Sequence, residues 1–173
     1  MEHRDELTLE NEAVYVRRLR PADLEAVISL DARVIGRRRD EYFKIKLQQA
    51  LAETGIEVSL AAEVDGLFCG FLLARVFYGE FGSTEPVAVL DTIGVHPDFR
   101  RQGIGRALID QLRKNLKALG ILRLQTEVSW DDQPLLGFFH EEGFHPAPRY
   151  CLDLDLAEPA RRRPRDSAVL EPR

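Results

Sequence analysis

Residues 87–120, VAVLDTIGVHPDFRRQGIGRALIDQLRKNLKALG, decide how the chain is read. Val87–Val95 is rich in β-branched and aliphatic residues and suits a covered strand. His96-Pro97 ends it, because proline lacks the N–H that a ladder needs and restricts the residue before it. From Ile104, apolar residues recur at Leu108, Leu112, Leu116 and Leu119, the stripe of a helix lying on a sheet. Gly120 is placed to stop that helix. Between strand and helix lies Arg100-Arg101-Gln102-Gly103-Ile104-Gly105. Glycine lets a ligand approach the backbone, and a helix start offers N–H groups without internal partners. Together with the positive end of the helix dipole and the flanking arginines, these predict a phosphate or pyrophosphate site.

The bulk numbers bound the rest. A length of 173 residues suits one domain with a sizeable core. A hydrophobic content of 45% and a charged content of 31% are those of an ordinary globular chain. The net charge of −5 argues against sequence-independent nucleic-acid binding, so no nucleic-acid partner is expected. Cys69 and Cys151 each sit in an apolar, strand-like run and are expected to be buried, reduced thiols. No cysteine–histidine spacing indicates a metal. The charged N-terminus and the lack of a long apolar run point away from a membrane and toward the cytoplasm.

Around the central stretch, residues 1–12 are polar and expected to be loose. A domain over 13–156 follows. It starts with a strand at Ala13–Leu19, then a helix opened by Arg20-Pro21-Ala22-Asp23 and broken near Gly36. A second helix runs through Tyr42, Phe43, Ile45, Leu47 and Leu51 to Gly55. Ile56–Val64 and Leu67–Tyr78 read as a hairpin about Asp65-Gly66. After the loop Gly79–Pro86 and the central strand and helix, Ile121–Ser129 alternates as a strand. Pro134–Glu142 reads as a short helix stopped by Gly143, and Phe144–Leu156 as a last strand interrupted early by Pro146 and Pro148. The tail 157–173 is rich in proline and arginine and expected to be disordered.

The run R-x-x-G-x-G after a strand ending V-x-P, opening a long helix, resembles the pyrophosphate loop of the GNAT acyltransferase superfamily. In a dinucleotide fingerprint, by contrast, the third glycine would fall at Leu108, and paired arginines do not precede the glycines. The resemblance extends more weakly over Ala13–Leu156. It implies an α/β (α+β) fold with a mixed, mostly antiparallel twisted sheet, helices on both faces, and a splay between the fourth and fifth strands. It also implies acetyl-CoA, with coenzyme A held by Arg100, Arg101, Gln102, Gly103, Ile104, Gly105 and Arg106. Backbone groups of Ile93, Gly94 and Val95 would polarise the acetyl carbonyl, and Gly94 is expected to let the ligand come close.

Glu127–Phe144 (EVSWDDQPLLGFFHEEGF) resembles the superfamily's second cofactor motif, N-x-x-A-x-x-L-Y-x-x-x-G-F, whose end Gly143-Phe144 matches. Asp132 stands in place of the usual asparagine and Phe139, after Phe138, in place of the usual tyrosine. That tyrosine serves many relatives as general acid, and Phe139 has no hydroxyl. A thiol pKa near ~8.5 makes thiolate a tolerable leaving group, so the departure predicts a slower enzyme, a different acid or no catalysis. Tyr150 and His140 are the nearest titratable substitutes in sequence, with His140 expected on the outer face of its helix and Tyr150 expected to pack. Glu127 stands where the resemblance places a catalytic glutamate, the other reading being a solvated carboxylate at a strand end. Asp91 is the second base candidate, with a hydrogen-bonded structural role the stronger reading.

The resemblance implies an amine acceptor, of a peptide, a protein or a small molecule, in a pocket formed by the first two helices and the late strands. Arg37, Arg38, Arg39, Tyr42 and Phe43 on one side, and Trp130, Asp131, His145 and Tyr150 on the other, are its candidate neighbours. An arginine run is more often a solvated face, and if it lines the site it favours an acceptor bearing a carboxylate or phosphate. The expected activity is N-acetyl transfer by direct attack. The alternative is a non-catalytic acyl-CoA-binding sensor or scaffold. An exposed late strand leaves a homodimer open.

Overall fold

The two early helices lie on the sheet because their apolar faces need a surface to cover. The computed structural model describes residues 14–52, 56–78, 82 and 84–157. The expected loose N-terminus 1–12 and the expected disordered tail, beyond Ala157, lie outside them. Strand β1 (Tyr15–Arg18) leads through a 3-10 turn at Pro21–Asp23 into α1 (Leu24–Ile35). Gly36, with φ +79°, ends α1, and α2 (Asp40–Ala52) follows. A hairpin then joins β2 (Leu60–Val64) to β3 (Leu67–Phe77). Its turn residues Asp65 and Gly66 have φ of 49° and 76°, the left-handed pair that suits the strands' twist. Next come β4 (Val87–Val95), a 3-10 turn at Pro97–Phe99, α3 (Ile104–Ala118), β5 (Leu124–Thr126) and α4 (Gln133–Glu141).

The five strands lie in sequence order in one sheet. The first four run antiparallel to their neighbours, and β5 lies parallel to β4. Helices cover both faces. Against one, α1 and α2 place Val27, Ile28, Phe43 and Leu47 on Ala61, Phe71 and Leu73. Against the other, α3 buries Ile104, Leu108, Ile109, Leu112 and Leu116, one stripe at helical spacing, on Leu60, Leu72, Ala74 and Leu90. Each such side chain contributes about 1.5–3 kcal/mol relative to exposure. Leu119, expected in that stripe, lies past the helix and is half exposed.

Three expectations are corrected. The strand expected over Ile56–Val64 forms only from Leu60, although Val58 and Ser59 are already buried. The strand expected over Ile121–Ser129 shrinks to Leu124–Thr126, because β5 finds a partner only at Ala88–Leu90 of β4. Phe144–Leu156 forms no strand within the chain. Pro146 and Pro148 deny it ladder bonds at the start, and among the described residues the remainder pairs with no strand.

Candidate functional site

The site begins at a bulge. Leu73 of β3 pairs with Thr92 and Ala74 with Leu90, so Asp91 is an extra residue in β4. A bulge bends its strand and increases the local twist. The pairing of β4 with β5 stops at Leu90 and Thr126, just where that bend starts. From Asp91 to Val95, the edge of β4 turned away from β3 carries no strand among the described residues. The wedge so opened holds a cavity of about 170 Å³ lined by Leu90, Asp91, Thr92, Ile93, Thr126, Glu127, Leu135 and Phe139. The side of β4 carrying unpaired backbone groups is therefore also the side with space beside it.

Following β4, the chain passes Pro97–Phe99 and reaches the arginine–glycine loop. Gly103 caps α3 with φ +79°, and among the described residues no side-chain cap hydrogen bond reaches the helix start. Arg101 also takes a positive φ, 62°. Arg100, Arg101 and Gln102 are exposed, and neither arginine has an ion-pair partner among the described residues. Gln102 donates to the carbonyl of Asp98 at 3.2 Å. Ile104 is buried in the core, so only its backbone faces the loop. Arg106 is turned elsewhere: its Nε donates to Glu142 Oε1 at 3.0 Å, which raises the guanidinium above its ordinary pKa. Arg113 donates to the Glu142 carbonyl as well, and together these tie α3 to α4.

Two glycines have a packing role that was not expected. A Cβ on Gly94 would sit 2.7 Å from Phe71 and 3.2 Å from Leu30, so its missing side chain admits α1 and β3 rather than a ligand. A Cβ on Gly105 would meet the Phe138 ring at 3.1 Å, so this glycine lets α4 close on α3.

The second motif builds the other wall. Asp132 caps α4, its Oδ1 accepting from Leu135 N at 3.1 Å. Phe139 is buried, 4.9 Å from the ring of Phe144, and reaches the cavity without a polar atom. Phe138 is half-buried beside it, and His140 is exposed as expected. Glu127, just past β5, lines the cavity and has no ion-pair partner among the described residues. Asp91 is committed: Lys46 Nζ lies 2.7 Å from its Oδ2, and Arg75 Nη2 lies 3.9 Å away. Tyr150 is 95% exposed, which corrects the expectation that it packs.

The acceptor-side arginines resolve into braces. Arg38 reaches Glu25 at 2.8 Å and Asp40 at 2.7 Å, and Arg39 reaches Asp31 at 2.6 Å while stacking 4.6 Å over Tyr42. Phe43 is fully buried and belongs to the core. Trp130, Asp131 and His145 are exposed, as is Arg37. Lys46 and Arg75 were missed by the sequence reading. Lys46 gave a signal: it shares the face of α2 that buries Phe43, Leu47 and Ala50, where a cation needs a carboxylate.

Does coenzyme A fit? An uncapped helix start beside two uncommitted arginines suits a pyrophosphate, and an unpaired strand edge in an open wedge suits amide groups. Residues 24–144 match the Acetyltransferase (GNAT) family, and the chain belongs to that family. Solved structures agree in fold. An aminoglycoside N-acetyltransferase, AAC(6')-Iy, in complex with CoA superposes with a TM-score of 0.68 at 20% identity, over 83% of this chain and 95% of that one. The ribosomal-protein-alanine N-acetyltransferase from Brucella melitensis biovar Abortus 2308 gives 0.66 at 24% identity, over 83% and 99%. The ribosomal-protein-S18-alanine N-acetyltransferase from Escherichia coli gives 0.64 at 23% identity, over 78% and 79%. Among the described residues no helix is long and apolar enough to cross a membrane, and no group of metal-ligating side chains occurs.

Proposed function

We propose that this protein is an N-acetyltransferase that moves an acetyl group from acetyl-CoA to a primary amine of a peptide, protein or small molecule. The observation that carries the reading is the wedge itself: a bulged, half-unpaired β4 that leads directly into an uncapped helix start. Bound acetyl-CoA supplies an activated acetyl thioester. Arg100, Arg101 and the N–H groups of residues 103–105 hold its phosphates, and the open edge of Ile93–Val95 orients the acyl end. Leu135 and Phe139 keep water from that end. Glu127 accepts the proton of the incoming ammonium, directly or through water. Transfer is direct, and Cys69 is no acyl carrier, since it is fully buried and burial pushes its thiol up to about 11.

Asp91 is the second candidate behind Glu127 in this reading because Lys46 already occupies its Oδ2. Calorimetric titration tests the cofactor half. Micromolar binding of acetyl-CoA with none of NAD supports it, and no binding of acetyl-CoA overturns it. Glu127→Gln tests the base. It should lower kcat about 100-fold and leave acetyl-CoA affinity intact, whereas a wild-type rate removes Glu127 from the mechanism.

A second reading, a non-catalytic acyl-CoA sensor, is favoured by Phe139, whose ring faces the cavity without a hydroxyl. Retained acetyl-CoA affinity with no turnover across a panel of amino acids, peptides, aminoglycosides and polyamines would select it.

A further inference from the structure

The cavity wall on the α2 side carries more positive charge than the fold uses. Leu90 and Ile93 pack with α3, whereas Asp91 reaches Lys46 of α2 and Thr92 pairs with Leu73, which packs under α1 and α2. Residues of both faces therefore line the same cavity, which runs between the α3–α4 side and the α1–α2 side. At its Asp91 wall two cations converge on Oδ2, Lys46 Nζ at 2.7 Å and Arg75 Nη2 at 3.9 Å. Only the first is a hydrogen bond. Arg75 stands two residues after Leu73 in β3, so it shares that face, with its guanidinium 5.1 Å over the Phe77 ring. Its Nε is shut off from solvent and has no hydrogen-bond partner among the described residues. Arg17 and Arg39, also largely buried, are bound quite differently. Arg17 makes 2.8 Å hydrogen bonds to Asp23 and Glu63, and Arg39 bonds Asp31 at 2.9 and 2.6 Å. A guanidinium is always charged and presents a planar fork of donors, so leaving it without a hydrogen-bonded carboxylate is costly.

We propose that the acceptor is a small amine that carries its own carboxylate, and that Arg75, with Lys46 beside it, holds that carboxylate while the amine faces Glu127. The proposal rests on the N-acetyl-transfer reading and names its substrate class. Two charges at the cavity are left over by the fold. Glu127 lines it without an ion-pair partner among the described residues, and Arg75 lies just behind its Asp91 wall. A zwitterion of the amino-acid kind answers both, giving an ammonium to the acid and a carboxylate to the guanidinium. Asp91 does not fill the second role, because Lys46 holds the oxygen that Arg75 approaches. Arginine pairs best with a carboxylate that can meet its fork with both oxygens, and an incoming acid is free to do so. The same charges discriminate. A polyamine or an aminoglycoside would bring further cations against Lys46 and Arg75, and like charges brought together reject a ligand. The subsite binds and orients only, and bonds change solely at the amine.

NMR titration of the wild-type protein, with and without saturating coenzyme A, tests the subsite without turnover. Glycine, β-alanine and γ-aminobutyrate are each compared with their own amide, which keeps the amine and removes the charge. At least one acid should bind about tenfold or more tighter than its amide. The chain length with the largest ratio then measures the span from amine to carboxylate. Arg75→Met should erase that ratio and Arg75→Lys should keep part of it, while the wild-type comparison stands whether or not a variant folds. The peptide Glu-Ala-Ala amide against Gln-Ala-Ala amide separates a side-chain carboxylate from that of a free amino acid. A ratio seen only for the peptides, equal binding of every acid and its amide, or no binding of any acid would overturn the proposal. So would a ratio that survives in Arg75→Met, or spermidine binding more tightly than the acids. Binding of coenzyme A would leave the acetyl-transfer reading standing in each of those cases. Failure to bind coenzyme A removes that reading instead, and the acid–amide ratio is then read on the free protein.

Discussion

Two arginine clusters sit on the same chain and mean different things. Arg38 and Arg39, between α1 and α2, have carboxylates within 2.8 Å: Glu25 and Asp40 for the first, Asp31 for the second. Arg100 and Arg101 lie beside the uncapped start of α3 with no carboxylate paired to them among the described residues. Composition cannot separate the two. What separates them is whether the fold has already neutralised the charge. A guanidinium held by carboxylates braces the fold, and one left beside unsatisfied N–H groups remains available to an anion.

The sharpest way to break this comparison is to remove one arginine from each cluster. Arg39→Ala strands Asp31, which is only 7% exposed, without its partner. Losing the partner of a buried charge costs about 3–5 kcal/mol, and the partial exposure of Arg39 reduces this to about 2–3 kcal/mol. Urea unfolding should show that loss while acetyl-CoA affinity holds. Arg101→Glu should do the reverse, changing stability by less than about 0.5 kcal/mol and weakening acetyl-CoA about tenfold or more, read by calorimetry. If both variants moved the same quantity, the distinction between brace and ligand site would fail.

The same distinction explains what could be read in advance. The order of the elements was legible because α3's stripe, the Asp65-Gly66 turn and Pro97 are local signals, whereas the sheet's pairing came from the family resemblance. The loop at Arg100–Gly105 was legible for the same reason: a helix start and its cap are written in adjacent residues. Lys46 on Asp91 and Phe71 against Gly94 were not, because each joins elements far apart in the sequence. Gly94 and Gly105 show the limit well. Both were read as room for a ligand, and each is filled by an aromatic ring of its own chain. The shortened β5 was likewise hidden, since its length is set by a bulge in another strand.

A third arginine extends the committed class and makes it pH-dependent. Arg17 grips Asp23 with two hydrogen bonds of 2.8 Å and Glu63 with a third of 2.8 Å. Burial by itself would raise the Asp23 pKa, but Arg17 and the N–H of Arg20 outweigh it and hold the carboxyl below its ordinary range. A carboxyl with a lowered pKa in the folded state adds stability that is complete above its unfolded value of about 3.9. That contribution drains away as pH falls below this value toward the folded one. Urea midpoints should therefore drop below about pH 4 in the wild type. In Arg17→Met the midpoint should start lower at pH 7 and show a shallower acid decline. An acid decline as steep as the wild type's would place the sensitivity in another carboxyl.

The two cysteines carry the comparison to its smallest effect, where no stability changes at all. Both lie in apolar runs and both were expected inside, yet only Cys69 is buried, with its Sγ 3.3 Å from the carbonyl of Ala62. Cys151 is exposed. Thiol reactivity follows the thiolate, so burial that pushes Cys69 up to about 11 leaves almost none at pH 8. A maleimide at pH 8 should label Cys151 within minutes and Cys69 only in denaturant, with mass spectrometry counting one adduct and then two. Two adducts on the native protein would mean that β3 opens readily, and the packing of α3 over it would then be far weaker than its buried leucines imply.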